Sequence, residues 1–478
     1  KYDDYNISNL EAYGSFSNIR ISTSKLQYKK FVGTLDGNFS VDYLKDKQSL
    51  NVQGEVKLKD GYTIVNHSKK KIMIPSAKLV FNSYNSSLNI SNLNVDFAEY
   101  GNLAILSNSE LNQDKSVIDF KVNSDQLDVE LLKLIWPELY LQKTKKWITK
   151  HFKGGIIKNA KINIKSKNKN QINDGFDING KFKLINSNFV FSKNKIVSNV
   201  KESNINFSNK LVNVKIKQGN IDNLLINNSK IDYEISEGNN IYKNNLILDL
   251  LINGQLSKAI QILSSLNLKN VNFLNFLNGS EGKTNFSLKT NLYYQKNKQF
   301  IDKNTVITGV IDNVISNNLP LGVKLNKGNL KFKYTKDEIF TSGFGNFYNI
   351  PTKFTYTQKK NEDIELFLKI SSNPNLINFF NQFYDFPISG KINGIYNIIG
   401  NLKSKNFQIN TVSQLEGADI KLKFLNWTKI RGEKSTLKAI INFEKGKISK
   451  IFGIDFKAKD FSAFGRLSFD EGKLESGF

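Results

Sequence analysis

The 478-residue chain contains no cysteine, which excludes a disulfide framework, a thiolate zinc site, a thiol nucleophile and an iron–sulfur cluster. Its two histidines, His67 and His151, could join a metal cage only together with carboxylates. Prolines number six, and no Pro- or Ser-rich linker divides the chain, which argues for one continuous structure over beads on a string. Arginine is nearly absent too, with Arg20, Arg431 and Arg466 the whole complement. No apolar run reaches the roughly 18 residues that a membrane-spanning helix needs. The best stretch, Leu246 to Ile252, is short and carries Asp249. The chain starts at Lys1 without a basic-then-apolar leader, and it reads as a fragment or a mature form, so that any anchor upstream would not be seen in it.

What is present is ample for a core: 39% of residues are apolar and 12% aromatic, so wholesale disorder is excluded. The length allows two to four domains or one extended repeat. The net charge is +25, carried almost entirely by lysine. Lysine, asparagine, isoleucine and phenylalanine dominate together, as they do where codons are rich in A and T, so much of this composition reflects genome bias.

Period-2 alternation recurs from end to end. It is clean in Leu88-Asn89-Ile90, in Leu93 to Phe97 and in Ile162-Asn163-Ile164, and again from Phe176 and Ile178 through Phe182 and Leu184. Val212, Val214 and Ile216 alternate with polar residues, as do Ile420, Leu422 and Phe424, and then Leu437, Ala439, Ile441 and Phe443. Alternate side chains of a strand point to opposite faces, so each segment has one apolar and one Lys/Asn/Asp face. Turns rich in Asn, Gly and Lys separate the segments, and the chain reads as mostly antiparallel β.

Three places show helical spacing: Asp125 as a cap for Leu127, Leu131, Leu134 and Ile135; residues 256–266; and residues 374–383 after Pro374. Each precedes a glycine that opens new strands: Gly154-Gly155, Gly282 and Gly390. The resulting plan is a strand module over 1–124, a helical insert over 125–155, strands over 156–254, a helical segment over 255–281, strands over 282–373, a short helix over 374–389 and strands over 390–478.

Catalytic signatures are missing. There is no G-x-S-x-G elbow, no H-E-x-x-H helix and no phosphate-cradling loop. Gly343-Phe344-Gly345 is a bare G-x-G that reads as a turn, and His151 reads as a cation at a helix tail. The sequence therefore points away from an enzyme, with no catalytic residue, no metal site and no cofactor. Nucleic acid is a poor match, because lysine is spread over nearly every strand instead of forming a patch. The densest runs, Lys69 to Lys71 and Lys165 to Lys169, read as turns. An anionic membrane surface would use the same charge without any sequence readout.

Two stretches carry a resemblance. Trp136-Pro137-Glu138, then Lys145-Lys146-Trp147, then Phe152-Lys153-Gly154-Gly155 is similar to the "WP … R-x-W … GG" stretch of YhdP-like proteins. Leu415 to Ile420, Leu425-Asn426-Trp427-Thr428-Lys429 and Gly432 resemble the "L-x-G-A … L-G-W-x-K … G" block of the same branch. A lysine stands where the family has arginine before Trp147, and Asn426 where it has glycine. These proteins belong to the AsmA-like superfamily of Gram-negative envelopes. The three tryptophans also suit a purely structural role, plugging sheet ends.

The resemblance implies an elongated, twisted antiparallel sheet curled into an open hydrophobic groove, with a few short helices between modules. It implies a bridge that carries phospholipid between inner and outer membranes, set in the periplasm and held to the inner membrane by an N-terminal helix, with envelope proteins as partners at its ends. Acyl chains would lie along Ile162, Ile164, Phe176, Ile178, Phe182, Leu184, Val212, Val214, Ile216, Ile420, Leu422, Phe424, Leu437, Ile441 and Phe443, which should share one face. A non-transporting envelope scaffold or surface adhesin on the same β array is the alternative.

Overall fold

The computed structural model describes residues 9–26, 29–44, 49–65, 70–84, 87–111, 116–117, 119–135, 149, 152–168, 171–190, 197–234, 245–265, 277, 279–294, 300–317, 324–347, 350–360, 363–372, 388–422, 425–470 and 473–477. Among these the protein is mostly β, as the alternation requires. Thirty strands form one antiparallel sheet of 27 and a separate sheet of three, accompanied by two short α-helices. The large sheet is not closed into a barrel. No helix among the described residues is long and apolar enough to cross a membrane.

The chain divides into two compact units. The first holds residues 1–222 and 226–246, the second 223–225 and 247–478. In the first, neighbouring strands are nearly all consecutive in sequence, from Asn9–Leu26 on Lys29–Leu44 through to Val197–Ser208 on Leu211–Ile221. The second runs likewise from Glu281–Tyr294 to Lys473–Gly477.

Bulges interrupt the strands at regular intervals. Asn18, Asn159 and Asn313 adopt positive φ at such register shifts, where asparagine tolerates the left-handed region better than most residues. Each bulge sharpens the local twist and bends its strand.

The helix of the first unit, α1 (Val129–Ile135), begins later than the spacing predicts. Leu127 still pairs with Ile157 as a strand residue, and the cap is Asp128 instead of Asp125. The Asp128 carboxylate accepts the N–H groups of Glu130 at 2.6 Å and Leu131 at 3.4 Å. Val129 and Leu131 are buried among Leu58, Ile72, Ile74, Ile157, Leu184 and Ile205, so α1 seals that end of the apolar face. In the second unit, α2 (Leu256–Ser265) buries Leu256, Ala259, Ile260 and Leu263 and packs on the strand Glu281–Tyr294. The helix predicted over 374–383 lies outside the described residues.

The glycines that open the strand runs, Gly155, Gly282 and Gly390, all have positive φ. At Gly155 the reason is close approach: a side-chain carbon there would stand 2.8 Å from Ser187 Cβ. Two sequence-predicted turns are strands instead. Lys70 and Lys71 open the strand Lys70–Tyr84, with the Lys71 ammonium 4.1 Å above the Tyr62 ring. Lys165 continues the strand Ile156–Asn168. Gly343-Phe344-Gly345 is likewise mid-strand, in Glu338–Phe347.

Candidate functional site: a continuous apolar face

The candidate site is a surface. In the first unit the cross-strand register links Phe16, Gly37, Val56, Leu79, Leu93, Ile105, Val122, Ile162, Gly180, Phe207 and Val212 in one unbroken row, each residue directly opposite the next. Residues directly opposite in a ladder share a face, so eleven consecutive strands present one apolar line. A parallel row joins Leu35, Leu58, Ala77, Val95 and Leu103. A cavity of about 510 Å³ lies along these strands.

The second unit repeats the construction. Its row is Phe286, Gly309, Phe332, Thr341, Tyr356, Leu366, Ile398, Ile409, Ile441, Ile451, Leu467 and Gly477. At about 4.8 Å per strand, each row follows a path of roughly 50 Å.

Most members of both rows are only half-buried, unlike the residues under α1, so the described residues place no second layer over the length of the rows. Phenylalanines cover the two glycines of the first unit's row. A side-chain carbon on Gly37 would meet Phe16 Cζ at 2.5 Å, and one on Gly180 would meet Phe207 Cζ at 2.8 Å. The rings occupy the glycine gaps and keep the surface apolar without a notch. Tyr356 and Tyr396 add hydroxyls to the face in the second unit. Burial pushes both above the ordinary phenol value, Tyr356 well above it, so they stay neutral. The Tyr356 hydroxyl donates to Gln358 Oε1 at 3.0 Å.

The opposite face is polar and partly self-neutralising. Glu55 pairs with Lys57 and Lys78, each at 2.8 Å, and Glu202 with Lys217 at 2.8 Å. No group of three His, Asp or Glu side chains suited to a metal ion occurs among the described residues.

Of the lining residues expected from sequence, Ile162, Ile164, Phe176, Ile178, Phe182, Leu184, Val212, Val214 and Ile216 all lie on the apolar face of the first unit. Phe182 and Phe207 meet edge to face there, centroids 6.1 Å apart. Leu437, Ile441 and Phe443 lie on that of the second, opposite Ser413, Ile409 and Phe407.

Ile420 and Leu422 do not join them. Their strand, Ala418–Leu422, belongs to the separate sheet with Ile388–Gly390 and Trp427–Lys429. There Ile420 packs with Ile392, Leu415 and Ala418 in a small closed core, against which Leu422, Trp427 and Leu437 rest. Alternation alone assigns a face within a strand, not the sheet that the strand enters. Phe424 lies outside the described residues. The residues missed by the sequence reading, such as Val56, Leu79, Leu366 and Ile409, sit in strands where the alternation is shorter or interrupted, by Gly54 ahead of Val56 and by Phe367 beside Leu366.

The motif residues are structural where they are described. Gly154 donates its N–H to Glu130 Oε1 at 3.0 Å, and Ser187 Oγ donates to the Gly154 carbonyl at 3.0 Å. The Trp427 ring packs on Phe461 and Phe456, centroids 4.7 and 5.8 Å away, and its Nε1 donates to Asp460 Oδ1 at 3.3 Å. Gly432, with φ +90°, donates its N–H to the Glu416 carbonyl at 2.8 Å. Lys429, fully buried, donates to the carbonyls of Ala418 at 2.7 Å and Ile430 at 3.1 Å. Trp136, Pro137, Trp147 and His151 lie outside the described residues. No family model and no curated protein matches the chain.

Proposed function

We propose that the protein is a lipid conduit: phospholipid acyl chains move along the apolar face while the lysine and asparagine face meets water, and no chemical step takes place. The observation that carries this reading is the continuous, mainly apolar register across eleven strands of the first unit and twelve of the second, interrupted in the second by Thr341 and partly exposed for most of its length. The apolar surface that a soluble protein leaves exposed is normally broken into patches of a few hundred Å². A line this long and this continuous suits a hydrocarbon ligand better than a point-like site.

The energetics fit. Removing a CH₂ group from water gains about 0.8 kcal/mol, so a long acyl chain covered on one side gains on the order of 5 kcal/mol, enough to hold it without chemistry. A bilayer's roughly 30 Å hydrocarbon core holds two acyl layers, so one chain covers about three strand steps and several lipids fit in file.

The motif resemblance extends the reading to the AsmA-like superfamily, with the periplasm as the compartment, the inner and outer membranes as donor and acceptor, and envelope proteins at the ends. The deciding experiment is mass spectrometry of lipid co-purified with gently extracted protein. Phospholipid bound in several copies per chain is expected. Its absence, together with failure to take up fluorescent phospholipid from vesicles, would leave the protein a scaffold.

A further inference from the structure

We propose that the lysine-bearing face of the second unit docks on the surface of a bilayer containing anionic phospholipid. The polar face of the first unit pairs many of its lysines with carboxylates: Asp36 with Lys59 at 2.7 Å, Glu55 with Lys57 and Lys78, Glu202 with Lys217. The second unit has such pairs as well, Lys289 with Asp249 at 3.5 Å and Lys457 with Asp455 at 3.4 Å, but one stretch of its polar face is built differently. One cross-strand row on its polar face reads Phe344, Lys353, Lys369, Ile395, Val412 and Lys438, and the first carboxylate along it is Asp455, opposite Lys438. On the four strands from Ile350–Lys359 to Asn406–Gln414, the nearest carboxylate in the register is Glu365, two rows away. Lys353 and Lys369 stand directly opposite each other, an arrangement that disfavours the sheet unless an anion lies over it.

Between these lysines the row exposes hydrocarbon. Phe344 is 57% exposed, Ile395 42% and Val412 44%, and Phe464, beyond Asp455, is 70% exposed. Single apolar side chains set among lysines match the headgroup region of a membrane. Rings and aliphatic groups enter the acyl boundary while lysine stems extend their ammonium groups to phosphates. An acidic protein would answer the lysines, but it would also need a separate pocket for each isolated apolar group. A fluid bilayer needs none. The contact uses the face opposite the proposed conduit, and it stands or falls independently of lipid carriage.

The test is flotation of the full chain with phosphatidylcholine vesicles, with and without phosphatidylglycerol, at low and high salt. The expected result is binding only when phosphatidylglycerol is present, reversed by salt. Lys353→Gln with Lys369→Gln should weaken it about twenty-five-fold, roughly five-fold per lysine. Phe344→Ser with Phe464→Ser should weaken binding without changing its salt dependence. If the double lysine variant loses its circular dichroism signature, Lys438→Gln serves instead, with about a five-fold loss. Equal binding to both vesicle types, or binding unchanged by the lysine substitutions, would overturn the proposal. Capture on immobilised polyglutamate with no vesicle binding would also overturn it, assigning the face to an acidic protein.

Discussion

Phe207 covers Gly180: the two stand directly opposite across neighbouring strands, and a side-chain carbon on the glycine would meet the ring's Cζ at 2.8 Å. Gly400 and Phe407 repeat the arrangement in the second unit, with a contact of 2.4 Å. Glycine weakens a strand, and an aromatic laid across it restores the lost cover. Here the pairing also levels the apolar face, because the ring fills a gap instead of standing up as a ridge.

The pair makes a direct prediction. Gly180→Val must push the Phe207 ring off the sheet, which should cost about 1–2 kcal/mol in urea unfolding. Adding Phe207→Ala to Gly180→Val should recover part of that loss, since the clash with the ring disappears and only the 2.9 Å approach to the Lys161 carbonyl remains. Strictly additive losses in the double-mutant cycle would show that the ring does not cover the glycine.

The seating of α1 depends on two neighbouring glycines. Val129 donates its N–H to the Gly155 carbonyl at 3.0 Å, and Gly155 has φ +115° with Ser187 Cβ 2.8 Å from where its own side chain would be. Gly155→Ala therefore meets both backbone strain and a clash, and should destabilise the first unit by about 2–3 kcal/mol. Gly154, with φ +66°, has open space around its Cβ position, so Gly154→Ala should cost about 1 kcal/mol. Equal losses at the two positions, measured by urea unfolding, would contradict this assignment.

Acid should loosen the same junction. Burial raises the Glu130 carboxyl, but hydrogen bonds from Lys133 and the Gly154 N–H, with the charges of Lys133 and Lys153, outweigh it and hold the group below its ordinary 4.5. A carboxyl depressed in the folded state stabilises the fold above its unfolded value. That contribution is lost as pH falls through the folded value. The stability difference between the unaltered protein and Glu130→Gln should be constant near neutrality and shrink below about pH 4.5. A difference that persists unchanged at pH 3 would mean that the carboxylate does not act through its charge.

Much of this architecture was legible because a strand writes its faces into sequence. Val212, Val214 and Ile216 alternate cleanly, and the structure puts them on one face. The path of the row between strands was not legible, since register depends on bulges such as those at Asn159 and Asn313 that no local pattern assigns to a position. Ile420 and Leu422 show the limit from the other side. Their alternation is as clean as that of Ile441 and Phe443, yet the short strand Ala418–Leu422 pairs outside the main sheet. Asp128 replaced Asp125 as the helix cap because pairing of Leu127 with Ile157 carries the strand farther than helical spacing suggests.

The proposed conduit makes its sharpest claim about adjacent residues. Val214 lies on the apolar face opposite Ile205, and Lys215 lies on the polar face opposite Asn204. In the second unit Ile441 faces Ile409 while Asn442 faces Gln408. A charge placed in a sealed core costs several kcal/mol and unfolds it, but Val214 and Ile441 are half-buried, so an introduced carboxylate can reach water. Val214→Asp and Ile441→Asp should therefore keep the β-sheet circular dichroism signature and lose at most about 2 kcal/mol. Co-purified phospholipid should fall sharply in both, because a carboxylate in the row interrupts the hydrocarbon path at one strand while leaving the strands on either side intact. Lys215→Asp and Asn442→Asp should keep their lipid. A photoreactive acyl chain should label the apolar-face positions and spare the polar ones. Equal labelling of both faces, or lipid loss that tracks unfolding in the two inner variants, would remove the apolar rows from any part in lipid carriage and leave them as the ordinary interior of a scaffold.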